Sequence, residues 1–212
     1  VVTADNFALF VNMVLVAVGI LTVIFSSQTV YRAGIPAGEY YAVMLFAIVG
    51  MMLMAQASDL LLIFLALETM SIAVYVMTGF RRDQVQSTEG AFKYFLLGAF
   101  ASSFFLYGIA FLYGVTGSTS LDRVGSVIAA QSMSGNPMIL LGVGLLIVGF
   151  AFKVAAVPFH MWSPDAYEGA PAVVTGFMST GVKAAGFAAF TRVFLSSFEP
   201  FRLESPAGPG WA

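Results

Sequence analysis

Long apolar runs separated by short polar segments dominate the hydrophobic pattern of this chain. A membrane-spanning helix needs about 20 mostly apolar residues, and runs of about that length lie at 7–25, 40–57, 60–80, 91–115, 138–158 and 171–194. The runs do not alternate between apolar and polar residues, which argues against β-strands. The pattern therefore predicts an all-α, polytopic transmembrane helix bundle with six spanning helices in residues 1–200, followed by a coil tail at 201–212.

Polar segments mark the boundaries of these helices. Only Ser58 and Asp59 separate the second run from the third, which predicts a tight helical hairpin. The segments YRAGIPAGE, RRDQVQSTEG and HMWSPDAYEGAP and the longer stretch from Thr116 to Pro137 separate the other runs. Their glycine, proline and serine content is typical of turns and loops.

Composition supports a membrane protein and excludes several functions. Charged residues make up 9% of the chain and hydrophobic residues 59%, whereas soluble domains carry about 25% charged residues. The net charge of −2 gives no basis for binding nucleic acid. The absence of cysteine excludes disulfides and thiolate chemistry, and the single histidine argues against a metal site. The chain starts with VVTADNF rather than methionine, and we expect it to be a piece of a longer chain.

Ionisable residues inside the predicted spans include Glu68, Lys93, Lys153 and Lys183. A central charge costs about 2.5–3.5 kcal/mol on insertion scales, so such residues face a bundle interior or water and are functional candidates. Lys93 has a structural alternative, because near a helix start it can reach the interface and pair with Glu89 one turn away.

Glu68 lies eight residues past Leu60, about 12 Å along the helix. That depth is too great for a short carboxylate to reach water, and Ser71 and Tyr75 share its helical face. The alternative for Glu68 is a protonated acid packed against its neighbours.

Lys183 lies near the middle of PAVVTGFMSTGVKAAGFAAF. Its helical face carries Gly176, Ser179, Thr180 and Gly186, a small and polar stripe of the kind used in close helix contacts. We therefore expect Lys183 to point into protein, with a structural ion pair as the alternative to a functional role.

The segment AFKVAAVPFHMW places Lys153 five residues before Pro158. Proline has no N–H, so the carbonyl of Val154 loses its helical partner. An unpaired carbonyl at membrane depth is tolerated only where protein or water meets it, and broken helices line transport pathways. We predict a broken helix over Met138 to Pro158 whose break admits water beside Lys153; the alternative is a simple kink with Lys153 in a static pair.

Buried lysines near a buried acid suggest proton transfer. An amine beside a movable carboxylate switches between its charged and neutral forms, and groups linked by water pass protons between them. His160 would join such a row at one end, because imidazoles exchange protons readily near neutral pH. The alternative for His160 is a capped loop residue.

The segments FKVAAVPFHMWSPDAYEGAP and VTGFMSTGVKAAGF resemble the antiporter-like membrane subunits of respiratory complex I. DLLLIFLALETMSIAVYVMTGF and AFKYFLLGAFASSFFLYGIAFLYG match the same family, and the YEGAP form is closest to its subunit N branch, equivalent to mitochondrial subunit 2. The resemblance implies fourteen helices in two inverted five-helix repeats, each with one broken helix. Tyr40 to Phe194 would form the first repeat, and the second repeat would lie outside this sequence.

The resemblance also implies roles and partners. Glu68, Lys153 and Lys183 match the family's buried acid, broken-helix lysine and bridging lysine, and Lys93 matches a further basic position. They belong to a hydrophilic axis assigned to proton translocation, coupled to quinone reduction elsewhere in a NADH–quinone oxidoreductase. The chain would bind no cofactor and no metal, because NADH, flavin, iron–sulfur clusters and quinone are expected on partner subunits. Its partners would be other membrane subunits of complex I and the lipid bilayer, as a multi-pass protein of a bacterial inner membrane.

Two other functions remain open. One is a subunit of a multi-chain cation/proton antiporter, which would share the lysines and the broken helix; such subunits more often carry a second histidine where Tyr167 stands here. The other is a structural membrane scaffold, in which Glu68 and Lys153 would tolerate neutral replacements.

Overall fold

The computed structural model describes residues 1–130 and 136–198, which form a bundle of α-helices. The predicted coil tail at 201–212 lies outside these residues. In chain order the helices are α1 (Asn6–Arg32), α2 (Ala37–Gln56), α3 (Leu60–Thr78), α4 (Val85–Thr116), α5 (Leu121–Ala130), α6 (Pro137–Val154), α7 (Ser163–Gly169), α8 (Ala172–Phe177) and α9 (Lys183–Phe198). A π-helical turn, Met178–Val182, joins α8 to α9.

Six helical segments in the described ranges are long and apolar enough to cross a membrane, which confirms the predicted all-α fold. They are α1, α2, α3, α4, α6 and the continuous helix Ala172–Phe198. Their outward faces are apolar: Phe10, Phe46 and Phe100 are each more than 60% exposed. Exposed aromatic and aliphatic side chains around the bundle suit a hydrocarbon solvent and not water.

The tight hairpin between α2 and α3 forms where the sequence predicts it. Asp59 caps α3 by accepting hydrogen bonds from the amides of Leu61 (2.9 Å) and Leu62 (3.3 Å), which satisfies donors that a helix start leaves free. The two helices pack closely at Gly50. A Cβ at this position would lie only 2.6 Å from the Met70 amide nitrogen, so a residue with a side chain does not fit.

The polar stretch from Thr116 to Pro137, for which the sequence predicts a linker, contains the helix α5. Helix α5 buries Leu121, Val124 and Ile128, at the three- and four-residue spacing of one helical face. It packs against the end of α9, where the Ser197 hydroxyl donates to the Leu121 carbonyl at 3.0 Å.

The helix predicted over Met138 to Pro158 is broken, but the break begins before the proline. Helix α6 ends at Val154, and Ala155 adopts a left-handed conformation with φ of +58°. The amides of Ala155 and Ala156 donate back to the carbonyls of Phe152 and Ala151, the pattern of a Schellman helix end. Residues 155–162, here called the break loop, then lead into α7. The missing proline N–H by itself predicts a helix end at Pro158, whereas α6 ends at Val154.

Helix α4 holds the two parts of the broken helix together. It has 32 residues, about 48 Å of helix, and packs against both α6 and α7. Contact with α7 is close at Gly90, where a Cβ would lie 2.6 Å from the Asp165 carbonyl oxygen. One long helix, α4, therefore sets the positions of both α6 and α7.

Candidate functional site

Lys153 lies in the last turn of α6 and is 2% exposed. Its Nζ donates a hydrogen bond to Ser71 Oγ on α3 at 2.8 Å, and Ser71 Oγ in turn donates to the Leu67 carbonyl. Ser71 is about 16 Å along α3 from its start and about 10 Å from its end. The amine is therefore enclosed by protein well inside the bundle.

Two tyrosine rings face the same amine. Lys153 Nζ is 5.8 Å from the ring centre of Tyr75 on α3 and 5.7 Å from that of Tyr94 on α4. The Tyr94 ring stacks on Trp162, with centres 4.1 Å apart and planes 2° from parallel. Trp162 Nε1 donates to the Phe152 carbonyl at 3.0 Å, so the end of the break loop folds back onto the end of α6.

The space beside the amine is small. A cavity of about 10 Å³, lined by Ser71, Gly98, Ser102, Phe105 and Lys153 among others, is at the lower limit for one water molecule. The sequence predicts that the break admits water next to Lys153. The Trp162 and tyrosine rings pack into the break, so water there beyond a single molecule stays a prediction.

Glu68 lies on α3 one turn before Ser71 and is half-buried. Its Oε1 is buried and has no hydrogen-bond partner among the described residues. Within those residues no carboxylate lies within 4.0 Å of Lys153 Nζ. Lys153 therefore forms no ion pair with the described residues, so the static pair that the sequence offered as the alternative has no partner among them.

Lys183 is the first residue of α9, directly after the π-helical turn. Its Nζ is 5.7 Å from the ring centre of Tyr167 on α7. One turn later, a Cβ on Gly186 would lie 3.2 Å from Val154 Cγ1 and 3.7 Å from Lys153 Cγ. The helix that carries Lys183 thus packs against the helix end that carries Lys153, and π-helical turns of this kind are frequent at functional sites.

The small polar stripe predicted beside Lys183 does not form one contact face. Gly186 packs against α6, but Gly176, Ser179 and Thr180 are exposed, and Gly176 and Thr180 line a groove beside α1. The prediction assumed a regular helix of 3.6 residues per turn, whereas the π-helical turn Met178–Val182 changes the register between α8 and α9.

Tyr167 has a buried hydroxyl with no hydrogen-bond partner among the described residues. Burial raises the pKa of Tyr167 above its ordinary value of 10.0. The ring therefore stays neutral, and it presents a face and not a charge to Lys183.

Lys93 and His160 lie apart from the Lys153 hydrogen-bond network. Lys93 Nζ pairs with Glu89 at 2.6 Å and with Asp165 on α7 at 3.1 Å, and its side chain is 43% exposed. This is the surface pairing with Glu89 that the sequence offered as the alternative. His160 is exposed on the break loop, and its ring makes no hydrogen bond to the described residues.

Three residues at these sites were not identified from the sequence: Tyr94, Trp162 and Asp165. Trp162 carried a signal, because an indole N–H just after a helix break can donate to a carbonyl of that helix end. Tyr94 and Asp165 carried none, since their partners lie on other helices. No group of three or more histidine or acidic residues in the described ranges is placed to hold a metal ion.

A family model and the curated relatives indicate the same family for this chain. The family model described as "NADH:quinone oxidoreductase/Mrp antiporter, TM" matches residues 57–203. NADH-quinone oxidoreductase subunit N from Trichlorobacter lovleyi is 51% identical over 197 residues, which are 93% of this chain and 40% of that relative. The chain thus spans about 40% of the length of the curated relative.

Solved structures show the same fold. A chain of respiratory complex I from Thermus thermophilus with bound aureothin is 40% identical, with a TM-score of 0.75, over 90% of this chain and 40% of that one. A chain of an archaeal membrane-bound sulfane sulfur reductase is 29% identical, with a TM-score of 0.81, over 91% and 38%. The sequence similarity and the shared fold indicate the same family. The chain belongs to the family of transmembrane subunits of NADH:quinone oxidoreductases and Mrp antiporters.

Proposed function

We propose that this chain is part of a proton-translocating membrane subunit of a NADH–quinone oxidoreductase, with Lys153 as its central proton carrier. One observation carries the proposal. Lys153 is a fully enclosed amine at the end of a broken helix, with a serine hydroxyl and two aromatic rings as neighbours and no carboxylate within 4.0 Å in the described part of the chain.

The surroundings of Lys153 suit an amine that gains and loses a proton. The Ser71 hydroxyl proton is engaged by the Leu67 carbonyl, so Ser71 Oγ is free to accept from Lys153. Both the ammonium and the neutral amine have an N–H to donate, and the hydrogen bond survives the change. The end of α6 carries partial negative charge, which favours the ammonium.

Glu68 would set which form is preferred. A charged carboxylate on the neighbouring helix favours the ammonium, and its protonation removes that attraction. Lys183 would receive or supply protons from the adjacent start of α9, and Lys93 and His160 would serve nearer the surface. Proton movement past Lys153 then requires water beyond the single-molecule cavity, so we expect the break loop to open during turnover.

The proposal includes partners and location. Electron transfer, with NADH, flavin, iron–sulfur clusters and quinone, would occur on other subunits, and this chain would bind none of them. The chain would lie in a bacterial inner membrane against other membrane subunits of the complex. The neighbouring complex I structure supports such an assembly by its similarity to this chain.

The test is proton pumping by the intact complex in closed vesicles. Lys153→Met and Glu68→Gln should assemble, and Lys153→Met should lower the number of protons moved per electron. Arg82→Gln is the control, because Arg82 is a surface charge with 81% side-chain exposure and a pair at 4.0 Å. A normal proton-to-electron ratio in fully assembled Lys153→Met complex would remove Lys153 from the mechanism and favour a scaffold.

The antiporter alternative has support in the family description, which names both classes. It predicts exchange of Na⁺ for H⁺ in vesicles without an electron donor. Tyr167 stands where antiporter subunits more often carry histidine, and this favours the first proposal. Its ring centre lies 5.7 Å from Lys183 Nζ. Sodium uptake driven by a pH gradient alone would reverse this preference.

A further inference from the structure

The Tyr75 and Tyr94 rings do more than fill the break beside Lys153. An ammonium has three N–H donors, and Ser71 Oγ is the only hydrogen-bond acceptor of Lys153 Nζ in the described residues. The two ring centres lie 5.8 and 5.7 Å from Nζ, inside the roughly 6 Å range over which an aromatic face attracts a cation. Such attraction is stronger where water is excluded, as it is here.

The ring of Tyr94 matters here and its hydroxyl does not. Tyr94 is 0% exposed, and its hydroxyl has no hydrogen-bond partner among the described residues. A buried hydroxyl without a partner costs free energy, so it is not what stabilises this side chain. The useful contribution of the side chain is its aromatic face, which meets Lys153 and stacks on Trp162.

Trp162 fixes the orientation of that face. Its indole is 1% exposed, lies parallel to the Tyr94 ring and is anchored by the hydrogen bond to the Phe152 carbonyl. Phe152 directly precedes Lys153. The indole on which Tyr94 stacks is therefore hydrogen-bonded to the same helix end that carries the amine. A movement of the break loop would therefore move the Tyr94 ring relative to the amine.

We infer that Tyr75 and Tyr94 form an aromatic pocket that selectively stabilises the charged form of Lys153, and that Trp162 is a positioning residue that holds the Tyr94 ring in place. This inference rests on the proposed function, since it assigns a role to groups around the same amine. The other titratable groups on the elements packed against Lys153 include Glu68 on α3, Tyr167 on α7 and Lys183 on α9. Lys93 on α4 pairs with Glu89, and Arg192 on α9 pairs with Asp5. Asp165 on α7 is engaged by Lys93.

The test replaces Tyr94 in the intact complex by phenylalanine and then by phenylalanines with increasing numbers of ring fluorines. Fluorine weakens the negative potential of the ring face while keeping its shape, so folding is preserved. Tyr94→Phe is the reference for the series, because it removes only the hydroxyl that has no partner in the described residues. Each added fluorine should move the alkaline limit of proton pumping to lower pH, by about half to one pH unit for the fully fluorinated ring, because loading the amine becomes harder.

Two further variants separate the possible outcomes. The same fluorinated series at Phe100, a ring of α4 that is 64% exposed, should leave the pH profile unchanged. Trp162→Phe should shift the limit in the same direction, and should add nothing in a complex that already carries the fully fluorinated ring at position 94.

A constant pH profile across the Tyr94 series, with Lys153→Met defective in pumping, would overturn the aromatic pocket and leave the proposed function intact. Normal pumping by Lys153→Met would instead overturn the proposed function. An additive effect of Trp162→Phe would show that Trp162 does not act through Tyr94.

Discussion

Lys153 on α6 and Ser71 on α3 are joined by a 2.8 Å hydrogen bond, although 82 positions separate them in the chain. The Ser71 hydroxyl also donates to the Leu67 carbonyl one turn back, which fixes its oxygen as the acceptor for the amine. One small side chain therefore gives a buried lysine its hydrogen-bond partner and connects it to the helix that carries Glu68.

Ser71→Ala should impair proton pumping without preventing assembly. The hydrogen bond contributes about 1.5–3 kcal/mol to the ammonium and about 0.5–1.5 kcal/mol to the neutral amine, so its loss lowers the ratio of charged to neutral Lys153 by about five- to tenfold. We expect fewer protons per electron in vesicles, measured beside the rate of electron transfer. Ser71→Thr should retain most pumping, because threonine also bonds the carbonyl one turn back.

Ser103→Ala is the matched control for the serine prediction. Ser103 is an exposed serine of α4 that donates only to the Ala99 carbonyl. Equal effects of the Ser71 and Ser103 changes would contradict the assigned role of Ser71.

Gly98→Ala should destabilise the packing of α4 on α3. A Cβ at this position would overlap the Tyr75 hydroxyl and lie 2.8 Å from Tyr75 Cζ, so the tyrosine has to shift. Overpacking of this kind costs about 1–3 kcal/mol. The thermal inactivation midpoint of the purified complex should fall, and adding Tyr75→Phe should recover part of the loss by removing the hydroxyl.

Gly114→Ala tests the same substitution on the same helix without the contact. No atom lies within 4 Å of a Cβ at Gly114, so alanine should be neutral or stabilising by up to about 1 kcal/mol. If Gly114→Ala lowered the thermal inactivation midpoint as much as Gly98→Ala does, the contact with Tyr75 would not be the cause of the destabilisation.

Ala155→Gly should stabilise the helix end. Ala155 has a φ of +58°, which costs a residue with a Cβ about 1–2 kcal/mol and glycine very little. Part of this gain is offset by the greater freedom of glycine in the unfolded chain. We expect a net stabilisation of about 0.5–1 kcal/mol, seen as slower thermal inactivation.

Ala110→Gly provides the comparison for the helix end. It lies inside α4 and is exposed, so glycine there should destabilise by about 1 kcal/mol. Destabilisation at both positions would show that the left-handed conformation of Ala155 is not the conformation in the assembled protein.

Asp5→Asn should weaken the junction of α1, α2 and α9. Arg192 donates two hydrogen bonds of 2.9 Å to the Asp5 carboxylate and one of 2.8 Å to the Ala55 carbonyl. These bonds, with the Ala8 amide, hold the pKa of Asp5 below its ordinary value of 3.8. Because the Asp5 side chain is 41% exposed, we expect a loss of only about 1–2 kcal/mol at neutral pH.

The pH dependence of this effect has a defined sign. A carboxylate whose pKa is lowered on folding stabilises the folded protein above its unfolded pKa, and that contribution is lost as the pH falls through the folded pKa. The stability difference between Asp5→Asn and the parent chain should therefore be complete above about pH 5 and should shrink below pH 3.8. A difference that stays constant into the acid range would exclude the ion pair as its source.

Much of this molecule follows from local sequence. Backbone groups in lipid must be satisfied within a segment, so the long apolar runs determine six helices. The three- to four-residue helical spacing places Glu68, Ser71 and Tyr75 on one face of α3. Pro158 close behind Lys153 predicts a broken helix.

Only the tertiary structure decided what meets Lys153. The partners Ser71, Tyr94 and Trp162 come from α3, α4 and the break loop, and their meeting depends on the rotation and axial position of each helix. Those quantities are set by close contacts such as Gly50 against Met70 and by the π-helical turn before Lys183. Hydrophobic periodicity shows which side of a helix is apolar, but in a bundle whose outer surface is also apolar it does not show which neighbour that side touches.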